Sequence, residues 1–217
     1  MAGPAPLSFI PYPEWLGKLL GELFKPPAWG SGGTGAPGSL TNPLTTAQAE
    51  ALFKEMAAQP QIPFNWPRDG CFARAHEMRR LMAEKGIESG KYWNYASPGG
   101  ALVVPGTGIG TVTWGWHVAP SVMVQGPGGA QPMVIDPSLF SQAVSPEAWA
   151  GKQGDTKVIL MHTDSALYQP TKDRSGWIRD DDYARTRQDL ALARYQRWSW
   201  DNGIDPRTGA PRPRRPA

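Results

Sequence analysis

The sequence predicts an α+β fold in which helices flank a central antiparallel sheet. Three features carry that expectation. Apolar residues recur at helical spacing near the front of the domain and again near its end. Between these stretches lie short runs of β-branched and aromatic residues, cut apart by glycine and proline clusters. The 217 residues also include 25 glycines and 23 prolines with no glycine period, so the chain reads as a turn-rich globular domain, not a collagen-like rod.

Taken in order, residues Trp15 to Phe24 have helical apolar spacing and are expected to form a short amphipathic helix packed on its own domain. The stretch from Gly30 to Ser39 is a Gly/Ser-rich linker without large side chains. Thr45 is a candidate N-cap, and Gln48 completes a capping box. Ala49, Leu52, Phe53 and Met56 then line one helical face until Pro60 and Pro63 end it. A second helix is expected from Cys71 to Lys85, with Asp69 or Gly70 at its mouth. Its apolar stripe is Ala75, Met78, Leu81 and Met82, and Gly86 stands at C′.

Strands are expected at 91–96, 101–104, 110–118, 121–125, 131–135 and 157–161. Ser145 with Pro146 opens a helical turn or two. A long helix runs from Asp180 to Trp200, acidic at its start and stopped by Asn202-Gly203. This divides the chain into an N-terminal segment and linker (1–39), a domain (40–203) and a basic, Pro-rich tail (204–217) expected to be disordered.

Composition narrows the function classes. With 22 Lys and Arg against 19 Asp and Glu, the net charge is only +3. The excess gathers partly in Arg207, Arg212, Arg214 and Arg215, and no basic groove for nucleic acid is evident elsewhere. No apolar run reaches the roughly 18 residues of a membrane span, and the Pro-broken start does not read as a signal peptide. One cysteine forbids an intramolecular disulfide. Three scattered histidines and the absence of HExxH argue against a metal enzyme.

That single Cys71 falls in the first turn of a predicted helix. The N–H groups and partial positive charge of such a turn favour thiolate, the nucleophilic form of the side chain. Its own N–H would face the oxyanion of a tetrahedral intermediate, and Asn65 is a candidate second donor. His117 lies in a strand-like run, and alternation puts it on the face of Gly115 and Ala119, opposite Trp116 and Val118. Asp136 ends the apolar strand Met133-Val134-Ile135. A carboxylate leaving a buried strand needs a partner, and the far nitrogen of His117 would supply one. The plain alternatives are a structural cysteine, a core histidine and an Asx-turn before Pro137. The order Cys, His, Asp on helix, strand and strand is nevertheless a papain-like arrangement.

At this point the residues resemble a known family. The segment Ile62 to His76, with Asp69-Gly70-Cys71-Phe72-Ala73-Arg74-Ala75-His76 at its heart, closely resembles the nucleophile segment of bacterial protein glutaminases. Trp116-His117-Val118-Ala119-Pro120 is similar to that family's histidine strand, and Val134 to Phe140 to its aspartate segment. The resemblance implies a papain- or transglutaminase-like core without metal or organic cofactor. It also implies hydrolysis of the γ-carboxamide of glutamine in a protein or peptide, with Cys71 as nucleophile, His117 as base then acid, and Asp136 as the orienting group.

Trp66 and Trp114 are candidate walls of the glutamine slot, while His76 reads as a structural hydrogen-bonder and Arg74 as the partner of a carboxylate or carbonyl. Similar domains also occur as toxins or effectors, which would bring a delivery or immunity partner; cytoplasmic residence is the alternative. Rival readings are a transglutaminase or cysteine protease using the same residues, a binding module that kept only the fold, and a nucleic-acid binder using the Arg-rich tail.

Overall fold

The computed structural model describes residues 42–154, 158–173 and 176–212. The helix expected at 15–24 and the linker at 30–39 lie outside them. Helix α1, Thr46–Ala57, opens on Thr45 with both halves of the capping box formed, and it buries Ala49, Leu52, Phe53 and Met56. The loop that follows leads to α2, Cys71–Glu84. Its N-cap is Gly70 at φ 76°, a left-handed conformation that any side chain would strain. Gly86, at φ 70°, ends it as expected.

The central sheet is antiparallel and ordered β5-β4-β1-β6. Its strands are β1 (Gly90–Tyr95), β4 (Trp116–Gly126), β5 (Gly129–Val134) and β6 (Ile159–Asp164). Two hairpins stand apart from it: β2 (Leu102–Thr107) with β3 (Gly110–Trp114), and β7 (Leu167–Asp173) with β8 (Gly176–Arg179). Helix α3 (Pro146–Gly151) is capped by Ser145, and α4 (Ala184–Asp201) packs on α2. Helix α2 lies on one face of β4. The main core joins Phe53, Met56, Ala73, Met78 and Met82 of α1 and α2 to Val122 and Val124 of β4. Among the described residues no helix is long and apolar enough to cross a membrane.

The structure differs from the sequence expectation in four places. The strands expected at 110–118 and 121–125 instead break at Gly115, and β4 runs straight through Pro120. The Pro120 carbonyl accepts from the Ile135 N–H, so its missing N–H faces the side on which the β4–β5 ladder has already ended at Ser121↔Val134. The β7–β8 hairpin lies beyond the last expected strand, at 157–161. Helix α4 starts at Ala184, not Asp180, because the Asp180 carboxylate turns back to accept the N–H groups of Arg185 and Thr186. Residues 204–212, assigned to the tail, close a turn in which Ile204 bridges Pro211 and the Arg212 guanidinium donates to the Trp200 carbonyl.

Candidate active site

Cys71 is the first residue of α2 and is 7% exposed. The approach to it is held from below by Arg74, one turn along the same helix. The Arg74 guanidinium is fully buried and donates through Nη1 to the carbonyls of Trp66 (3.0 Å) and Asp69 (2.6 Å). This fixes the turn that aims the helix mouth. Burial pushes the Arg74 pKa down, while Cys71, Asp136 and Asp69 act in the opposite direction. A cation therefore lies within electrostatic reach of both the thiol and the acid. The thiol's apolar neighbours are Ala75, Trp93, Tyr95, Val118 and Leu167.

His117, the second residue of β4, is 1% exposed. Its Nε2–H donates to Asp136 Oδ2 at 2.8 Å. The other nitrogen, Nδ1, is buried without a protein hydrogen bond of regular geometry among the described residues. Cys71 is the other side chain, besides Asp136, that acts on the titration of this ring by charge and hydrogen bonding. Asp136, 3% exposed, lies two residues beyond the end of β5. Its Oδ2 also accepts Trp149 Nε1–H at 2.8 Å, and Oδ1 accepts the Ser138 N–H at 3.1 Å. The carboxylate thus forms both the ion pair and the Asx-turn that the sequence left as alternatives.

The imidazole sits between two indoles. Trp114 stacks on it at 4.6 Å and 10° between planes, and Trp149 at 5.5 Å and 27°. Burial alone would drive a proton off the ring. The Asp136 charge and hydrogen bond, with Cys71, outweigh burial and raise the His117 pKa to about 9. Burial likewise opposes the Asp136 charge, but His117, Trp149 and Arg74 together hold its pKa below the ordinary carboxylate value. At neutral pH the pair is therefore an imidazolium and a carboxylate, with two aromatic faces favouring the cation.

The structure gathers Cys71, His117, Asp136 and Trp114 at one place. Trp114 is tied to the helix mouth by Nε1–H donation to the Pro67 carbonyl at 3.0 Å. Trp66 is 1% exposed, packs beside Trp200 and donates to Gln196, so it belongs to the core behind the turn. Asn65 is exposed, and its carbonyl accepts from Arg197 on α4, on a shallow groove shared with Pro63, Phe64 and Trp198. His76 stays buried away from the site, between Lys91 and the Asp180 carbonyl. Sequence reasoning gave no role to Trp149. A tryptophan on a short capped helix just downstream of the acid was the available signal.

A family model described as glutaminase matches residues 49–153 and so spans Cys71, His117, Asp136 and Trp149. A search of curated proteins gave no match. Among solved structures, a crystal structure of protein-glutaminase is 27% identical, covers 69% of this chain and 87% of its own, and superposes with a TM-score of 0.58. The NMR structure of protein-glutaminase from Chryseobacterium proteolyticum is also 27% identical, with 70% and 89% covered and a TM-score of 0.60. A crystal structure of pro-protein-glutaminase, at 24% identity and a TM-score of 0.60, shares the fold over 81% of this chain and 65% of its own. Residues 49–153 thus match a glutaminase family model, and the chain shares the fold of solved protein-glutaminase structures.

Proposed function

We propose that this protein deamidates glutamine side chains in proteins or peptides, yielding glutamate and ammonia through a thioester on Cys71. One observation carries the reading beyond these likenesses. The thiol, an imidazole and a carboxylate are brought together from a helix mouth, a strand and the turn after another strand, with the ring held charged. In this reading the Cys71 sulfur attacks the amide carbon, and the Cys71 N–H steadies the oxyanion. Loss of one such donor costs about 3 kcal/mol, on the order of a hundredfold in rate. His117 then passes the proton on Nδ1 to the departing nitrogen. Water attacks the thioester, giving a proton back to His117 and releasing the acid. Asp136 keeps the ring oriented throughout, and Trp114 forms one wall of the site.

Cys71→Ala and His117→Ala should each abolish ammonia release from a glutamine peptide while circular dichroism stays unchanged. Asp136→Asn should leave a small residue of activity. Undiminished ammonia release by Cys71→Ala would reject the thioester. Peptide-bond cleavage or amine incorporation in place of ammonia release would move the assignment to a protease or a transglutaminase with the same residues. The lone cysteine fits work in a reducing compartment. That favours a delivered effector or toxin deamidase, and a bait experiment with Cys71→Ala would identify its protein target or an immunity partner.

A further inference from the structure

Asn94 occupies an unusual position for a polar side chain. It lies in β1, the strand between β4 and β6, and is fully buried at 0% exposure. Neither Oδ1 nor Nδ2 has a hydrogen-bond partner among the described residues. The cost of burying an amide this way is about 1–3 kcal/mol, and a leucine, branched at the same atom, would avoid it. The β1–β4 register sets Asn94 directly opposite His117. Directly opposed residues project to the same face with Cβ atoms roughly 5 Å apart. The buried nitrogen His117 Nδ1 likewise lacks a regular partner. One unmatched donor, one unmatched acceptor and the proton-bearing ring thus share one face of the sheet.

We propose that the Asn94 carboxamide receives the γ-carboxamide of the substrate glutamine, its Oδ1 accepting a substrate N–H and its Nδ2–H donating to the substrate carbonyl. This rests on the deamidation reading above and adds the residue that distinguishes amide from acid. A primary amide offers both a donor and an acceptor, so it satisfies both Asn94 atoms at once. The glutamate product is an acceptor only, and it sets oxygen against Oδ1. The same contact holds the leaving nitrogen beside His117. Its entry requires the same opening of the site that access to His117 requires, since both side chains are closed off from solvent.

The test compares the parent protein with Asn94→Leu on two substrates, a glutamine peptide and the same peptide carrying glutamate γ-methyl ester. Asn94→Leu should lower kcat/KM on the amide about a hundredfold and on the ester, which has no N–H to read, less than about tenfold. Its melting temperature should equal or exceed that of the parent, and modification of Cys71 by methyl methanethiosulfonate, which carries no amide, should keep its rate. Amide turnover within twofold of the parent, or equal losses on amide and ester, would overturn the proposal. If Asn94→Leu fails to fold, Asn94→Ala is read by the same criteria. Failure of both to fold would make Asn94 structural and overturn it as well. A parent inactive on the glutamine peptide would remove the deamidation reading itself, whereas an active parent with an equally active variant removes only the role of Asn94.

Discussion

Replacing Trp149 by phenylalanine would test how the acid is held. The change keeps an aromatic ring near His117 but deletes the Nε1–H that donates to Asp136 Oδ2 at 2.8 Å, in a place where Trp149 is fully buried. A hydrogen bond to a buried charged acceptor contributes about 1.5–3 kcal/mol, and the smaller ring adds a packing loss of its own. Thermal unfolding alone cannot separate the two, so a double-mutant cycle with Asp136→Ala is needed. The coupling energy should be about 2 kcal/mol.

The second readout is the pH profile. The indole N–H lowers the Asp136 pKa, so its removal should raise that pKa and shift the acid limb of kcat/KM to higher pH. A coupling energy near zero with an unmoved acid limb would refute the claim that Trp149 holds the carboxylate.

Three further expectations follow from the same geometry. Activity should fall on the alkaline side as His117, raised to about 9, loses the proton needed by departing ammonia, and Asp136→Asn should move that limb to lower pH. The stability carried by the His117 charge should be full below its unfolded value of about 6.5 and lost as pH rises through the folded value; urea titrations at several pH values measure this. Gly70→Ala should cost about 1–2 kcal/mol for the left-handed backbone alone, because a Cβ there meets only Ala193 Cβ at 3.6 Å and Arg74 Nη1 at 3.7 Å; its loss of kcat should exceed that of stability as the helix mouth turns.

Lys91→Met should destabilise by about 2 kcal/mol by stranding the Leu167 carbonyl and His76 Nδ1. Burial first, then the Lys91 charge, holds His76 at about 3, so NMR titration of the variant should find that pKa raised. An unmoved His76 would contradict the network.

Local signals were legible in the sequence because their physics is local. Thr45 and Gln48 form their capping box, Gly86 takes the left-handed turn, and Ser145 with Pro146 opens α3. Cys71, His117 and Asp136 are each weak signals alone; their order along the chain and the resemblance of their three segments to one family single them out. What escaped notice depends on pairing across the chain. Asn94 matters through its register opposite His117, and Trp149 through the carboxylate 13 residues before it.

The aromatic residues show the same limit. Trp114 and Trp66 look alike in sequence, yet β3 carries the first onto His117 while the turn before α2 drives the second into the core with Trp200. The start of α4 was misplaced because acidic residues suit a helix N-terminus in general, whereas Asp180 folds back as a cap from outside the helix.

The measurement closest to the central claim is an intact-mass spectrum of the protein acid-quenched during turnover of a glutamine peptide. A thioester intermediate gives an adduct equal to the peptide less one ammonia, mapped to Cys71 and missing from Cys71→Ala. Sustained ammonia release with an unmodified protein mass, and with the Cys71→Ala variant equally active, would contradict it.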